Sequence, residues 1–187
     1  MKTAIHMIAT LFIIGALSGG LLSYVANWAS PKIAIHRQED TENAIYQVQP
    51  NCKKTEKVEA AFELYRAYGE NGDTLGYAMP IEGNGFQGKI RLMIGVTKDA
   101  TELTGLEILE QAETPGLGQK IVEDDFKKQF VNLITNPLVE WIKGAAPEKK
   151  NQIQTITGAT ISSKAVVAII NTGLETLRKS LNDGGIK

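Results

Sequence analysis

Cysteine and histidine are nearly missing from this chain. Cys52 is the single cysteine among 187 residues, so no internal disulfide can form. One thiol falls short of the roughly four that an iron–sulfur cluster takes and of the several Cys or His ligands of a structural zinc site. The two histidines, His6 and His36, lie within and just after an apolar N-terminal segment. The remaining chain therefore has neither a histidine base nor a Cys/His metal site of its own, and any redox chemistry there has to be carried by an organic cofactor. Long runs of like charge are also lacking. The formal net charge is −1, and Lys53-Lys54 and Lys149-Lys150 are short pairs suited to solvated loops. Nothing in this balance points to nucleic acid as a partner.

What is present begins with a nearly uncharged stretch over residues 4–29. It is longer than the about 20 apolar residues needed to cross a bilayer, and longer than the ~7–15-residue apolar core of a signal peptide. Tyr24 and Trp28 near its far end suit the membrane interface, and Pro31 is expected to stop the helix. Charge does not set the orientation: Lys2 lies on one side, Lys32 and Arg37 on the other. The chain thus reads as residues 1–30, a transmembrane anchor, 31–55, a stalk with a short strand at 44–48, and 56–187, a folded domain.

Within that domain the pattern changes to strands and turns. Strands are expected over residues 62–68, 74–81, 89–96 and 103–109, with Asn71-Gly72 as the hairpin signal between the first two. A helix with Phe126, Phe130 and Leu133 on one face should begin near Glu123. Residues 136–151 read as loop around Trp141, and 153–156 as a short strand. The clearest element is the last helix, where Val166, Ile169, Ile170, Gly173, Leu174, Leu177 and Leu181 recur at three- and four-residue steps and Gly184-Gly185 follow. The fold class is α+β: one N-terminal transmembrane helix, then a meander β-sheet with packed helices.

The segment Thr157-Gly158-Ala159-Thr160-Ile161-Ser162-Ser163-Lys164 runs straight into that helix. Two readings compete there. Ser and Thr at a helix start are ordinary N-caps. Alternatively, small residues admit bulky matter to the backbone, and the free amides of the first turn, taken here as those of Ser162, Ser163 and Lys164, grip a phosphate joined to the Thr160 oxygen. Lys164 would add a positive charge.

The run 157–163 resembles the S/T/D-G-A-T/S-x-x-S/T flavinylation motif of the FMN-binding domain family, which includes components of Rnf-type electron-transport complexes and of sodium-pumping NADH:quinone oxidoreductases. Glu113-Thr114-Pro115-Gly116-Leu117-Gly118 is similar to that family's E-T-P-G-L-G loop, and residues 83–90 to its glycine–Phe loop. The resemblance covers nearly the whole chain. It implies FMN bound covalently through a phosphoester to Thr160, with Thr157, Gly158, Ala159, Ser162, Ser163 and Lys164 around the phosphate. It further implies that residues 113–118 lie against the ring, with Thr114 as a hydroxyl donor to it. Glu113 and Lys120 read as surface charges rather than catalytic groups.

The same resemblance implies a G-type component that relays electrons in an Rnf complex coupling ferredoxin/NAD electron transfer to Na+ or H+ translocation. The implied partners are the other components of the Rnf complex (A, B, C, D and E), membrane lipid, and a flavin transferase of the ApbE type during maturation. The implied location is the cytoplasmic (inner) membrane, single-pass, with the flavin domain outside. Two alternatives stay open: a protein like the C component of the quinone oxidoreductase, and a non-redox anchored assembly or binding module.

Overall fold

The computed structural model describes residues 2–185. The element order is α1 (Lys2–Val48), β1 (Lys54–Lys57), β2 (Tyr65–Tyr68), β3 (Thr74–Asn84), β4 (Lys89–Thr97) and β5 (Glu102–Gln111). A 3-10 turn (Gly118–Val122), α2 (Asp124–Lys127) and a second 3-10 turn (Lys128–Phe130) follow, then β6 (Leu133–Ile134), β7 (Glu140–Ile142), β8 (Gln152–Gln154) and α3 (Thr160–Asn182). The fold is α+β. The chain divides into two compact units, one ending at Asp40 and the other starting at Thr41.

Among the described residues the first unit is helix alone, and α1 is long and apolar enough to cross a membrane. Leu11, Phe12, Leu17 and Leu22 are each at least 70% exposed, so this helix buries none of them within its own unit among the described residues. Pro31 lies inside α1 and does not stop it. Proline removes one hydrogen bond from a helix, and a helix of 47 residues continues through one such loss.

In the second unit β1 to β6 form an antiparallel sheet in sequence order, a meander longer by one strand at each end than the four strands expected. Gly72, with φ of 78°, makes the β2–β3 turn. Along β4 the residues from Leu92 to Val96 are all buried, because both faces of the sheet are covered. One face packs against α3, whose Val166, Ile170, Leu174 and Leu177 join Met79, Leu92 and Ile94 in the main core. Gly173 lets helix and strand approach: a Cβ there would lie 2.8 Å from Ile81 Cδ1.

The other face is covered by residues 44–48, which are helix and not the expected strand. Ala44, Ile45 and Val48 share one side of the helix and pack on Ala78 and Met93. A five-residue stretch with one polar member, Gln47, does not declare its period, and contact with the sheet selects the helical one. Gly95 and Gly105, paired across β4 and β5, leave room for the Val48 backbone. Gln49, just beyond α1 and 2% exposed, donates through Nε2 to Tyr77 O and Val96 O, both at 2.8 Å.

Residues 136–151, expected as loop, contain β7, which pairs in parallel with β8. Asn171 of α3 fastens it: its Oδ1 accepts from the Val139 amide and its Nδ2 donates to Val139 O, each at 2.9 Å. The continuous helix expected from Glu123 is replaced by short helical turns. Phe126 and Phe130 still meet edge-on at 5.3 Å, but Leu133 belongs to β6.

Replacing Gln49 by Ala removes two hydrogen bonds donated by one buried amide to Tyr77 O and Val96 O, a loss of ~0.5–1.5 kcal/mol for each. The expected outcome is a lower urea midpoint for the full chain in detergent at an unchanged slope. An unshifted midpoint would show that Gln49 does not hold residues 41–49 to the sheet.

Candidate functional site

Three segments far apart in sequence meet at one carboxylate. Glu113 follows β5, is 4% exposed, and is therefore not the surface charge expected. Its Oε1 accepts from the Gln87 amide at 3.0 Å, and its Oε2 accepts a short hydrogen bond from the Ser162 hydroxyl in the first turn of α3. Burial alone would raise its pKa. The bonds from Ser162 and from the amides of Gln87, Gly88 and Phe86 outweigh that and hold the carboxyl below its ordinary value. Glycines make the closeness possible. A Cβ on Gly118 would lie 2.6 Å from Ser162 Oγ and 2.9 Å from Glu113 Cβ, and one on Gly85 would collide with Glu113 Oε1.

The loop 113–118 turns on itself, with the Leu117 and Gln119 amides donating to Thr114 O at 3.1 Å. Thr114 Oγ1 donates to Gln87 Oε1 at 3.0 Å, a second tie to the glycine–Phe loop. Gly116, at φ 72°, makes the turn after Pro115.

The start of α3 is the chemically distinctive feature. Gly158 takes φ of 84°, and Ala159 occupies the N-cap position, where it has no side-chain oxygen to offer. None of the local hydroxyls performs the capping role. Ser162 turns to Glu113, while Ser163 Oγ donates to Ala159 O at 3.0 Å and accepts from the Ile156 amide at 3.1 Å. The Ser163 amide donates to Ala159 O at 3.0 Å. The amides without a protein acceptor among the described residues are thus those of Thr160, Ile161 and Ser162, and not the Ser162–Lys164 set expected. Three such donors at the positive end of a 23-residue helix favour an anion.

The residues that carry them line a cavity of about 490 Å³. Its floor is Thr157, Gly158, Ala159, Thr160 and Ser162. Thr114, Leu117 and Gly118 form part of the wall, and Thr155 another part. Phe86 and Ile161, 61% and 57% exposed, supply apolar surface. Lys143 and Gly144 complete the lining. Thr160 itself is half-buried, so its hydroxyl stays within reach of a modifying partner.

Of the residues singled out from sequence, Ser163 and Glu113 lie behind this lining, and Pro115 and Gly116 lie outside it on the loop. Lys164 also lies outside it: its ammonium sits 3.8 Å from the centre of the Trp141 ring. The cation beside the cavity is Lys143 instead. Sequence reasoning left Lys143, Gly144 and Thr155 unmarked. β7 and β8 bring them in by pairing, and no local pattern announces that. Phe86 and Ile161 stood inside quoted motifs at positions carrying no polar chemistry.

These residues fit FMN. The volume falls in the range of ~300–1,000 Å³ typical of small-ligand sites. Free amides and Lys143 suit a phosphate, the apolar wall suits a planar ring, and the buried Thr155 hydroxyl has no protein partner among the described residues.

Comparison with known proteins agrees. The FMN-binding domain family matches residues 85–175. The chain is 27% identical over 183 residues to the G component of an ion-translocating oxidoreductase complex from Methanosarcina acetivorans, covering 93% of this chain and 94% of that protein. It is 33% identical over 162 residues to the G component of a proton-translocating ferredoxin:NAD(+) oxidoreductase complex from Clostridium ljungdahlii, covering 85% and 83%. The crystal structure of Shewanella oneidensis NqrC superposes with a TM-score of 0.60 at 15% identity, covering 73% of this chain and 74% of that one, which is a likeness of fold.

Glu113→Gln keeps the volume but sets an NH2 group among donors. A loss of ~1.5–3 kcal/mol at pH 7 is expected, as for hydrogen bonds to a charged group. The folded pKa is depressed, so this contribution is fully present above the ordinary 4.5 and lost as pH falls through the folded value. Urea unfolding across pH should show the two chains converging in acid. A difference independent of pH would mean that the ionised carboxylate is not what joins the three segments.

Proposed function

We infer the function of this chain from its family: it belongs to the G components of Rnf-type ion-translocating ferredoxin:NAD+ oxidoreductase complexes, carries an FMN-binding domain, and is related to the C components of Na+-translocating NADH:quinone reductases. In our reading FMN is held covalently, as a phosphoester of the Thr160 oxygen. The observation that supports this best is the helix start without a cap. The Thr160, Ile161 and Ser162 amides have no protein acceptor among the described residues, and the one hydroxyl between Gly158 and Ser162 belongs to Thr160. A phosphate there completes the first turn of α3, and Lys143 balances its charge.

The bound flavin supplies the electron-carrying chemistry, and the protein supplies position and surroundings. Glu113 keeps Ser162 and the two loops fixed, so the cavity wall keeps its shape. Leu117, Phe86 and Ile161 offer exposed apolar surface against which a ring can lie, displacing water as it does so. A covalent carrier does not dissociate during turnover, and this role needs no general base.

α1 is then a single membrane anchor in the cytoplasmic membrane, with the flavin domain on the extracytoplasmic side. Maturation requires a flavin transferase of the ApbE type with FAD as donor. The working partners are the other components of the complex, A to E, and the relay within that assembly serves Na+ or H+ translocation.

The test is the mass of the intact chain made beside such a transferase. The wild type should gain one FMN through the peptide bearing residues 157–163. Thr160→Ala should gain none while keeping its unfolding free energy within ~0.5 kcal/mol, as for a half-buried hydroxyl with no hydrogen bond among the described residues. Thr160→Ser should keep the adduct. An adduct of the same mass on Thr160→Ala would end this assignment.

A further inference from the structure

Among the described residues, eight polar or charged ones are buried: Thr41, Gln49, Glu113, Thr135, Asn151, Thr155, Ser162 and Ser163. Seven have a hydrogen-bond partner for the buried side chain. Thr155 is the exception. It is 4% exposed, and its Oγ1 has no partner among the described residues. The other buried side-chain atoms without a hydrogen bond, Arg91 Nη1 and Glu110 Oε1, face each other at 3.7 Å in an ion pair. Buried hydroxyls are bonded as a rule, because the water they give up has to be replaced. An exception calls for a reason, and this one lies on the wall of the cavity, five positions before Thr160.

The backbone at Thr155 is fixed. Its amide donates to Ile142 O at 2.9 Å, prolonging the β7–β8 pairing, so the residue cannot swing away. The side chain retains one freedom. A 120° rotation about Cα–Cβ carries the hydroxyl into the position the methyl held, while the methyl moves into the position of Hβ. The wall can thus present either an apolar or a polar group to the cavity.

We propose that Thr155 is a cofactor-positioning residue: when FMN occupies the cavity, the Thr155 hydroxyl turns to it and hydrogen-bonds a polar atom of the ring or of the ribityl chain. This rests on the reading that FMN occupies the cavity. Thr160 then fixes the phosphate end, Thr155 fixes a point further along the molecule, and two fixed points define an orientation where one does not.

The test compares Thr155→Val, which keeps the shape and loses the hydroxyl, with Thr155→Ser, which keeps the hydroxyl. Full-length chains in detergent are made with and without the flavin transferase. Intact mass comes first: a wild-type chain without the adduct defeats the functional reading itself, and leaves no cofactor for Thr155 to position. With the adduct present on all three chains, thermal unfolding and the visible flavin spectrum decide the role of Thr155. Without flavin, Thr155→Val should melt at or above the wild-type temperature, since an unsatisfied hydroxyl has gone. With flavin it should melt lower than the loaded wild type, by ~2–4 °C for one lost hydrogen bond in a chain of this size, and its flavin bands should shift. Thr155→Ser should match the wild type in both. Equal changes in the loaded and flavin-free chains overturn the proposal, as do an unchanged melt and spectrum. A Thr155→Val chain that cannot fold without flavin also overturns it, since the hydroxyl would then serve the fold alone.

Discussion

The site depends on one buried carboxylate. Glu113 joins the glycine–Phe loop after β3, the loop that leaves β5, and the first turn of α3, none of which adjoins another in sequence. Carrying a negative charge into the interior is unfavourable unless donors surround it. Here the Ser162 hydroxyl and backbone amides do so, and they lower the pKa despite burial. An acid this dependent on its donors fixes their positions in return. Without it the cavity wall and the start of α3 would have no common reference point.

That arrangement also explains why α3 begins as it does. A segment holding Thr157, Thr160, Ser162 and Ser163 has every local means of capping its own helix, yet the N-cap position goes to Ala159. Ser162 is drawn inward by Glu113, and Ser163 reaches back to Ala159 O and the Ile156 amide. The amides of Thr160, Ile161 and Ser162 are left without a protein acceptor among the described residues. A protein built for stability alone would cap this helix, and the departure from that local rule marks a site of function.

Several features could be read without a structure. The apolar stretch, the central strands and the stripe of α3 follow from periodicity, which is set by the backbone and so is written locally. The three site motifs were legible through family resemblance, and the structure gathers them around one cavity. Other features were not legible, for separate reasons. Residues 44–48 carry too few apolar positions to reveal a helical period until they touch Ala78 and Met93. Glu113 looks like any surface acid until the chain folds donors around it. Lys164 was expected near a phosphate by position alone, but its long side chain instead reaches the Trp141 ring. Lys143 and Thr155 enter the site only because β7 and β8 pair in parallel, and pairing between distant strands leaves no trace in either strand alone.

The sequence by itself determined which segments are helix or strand over most of the chain and where an apolar span lies. Each of these is a property of neighbours along the chain, decided by side-chain period and backbone freedom. Tertiary structure alone decided which amides stay free, which acid is buried and which cation stands beside the cavity. Hydrogen bonding and burial depend on what surrounds a group in space, and folding brings that surrounding from every part of the domain.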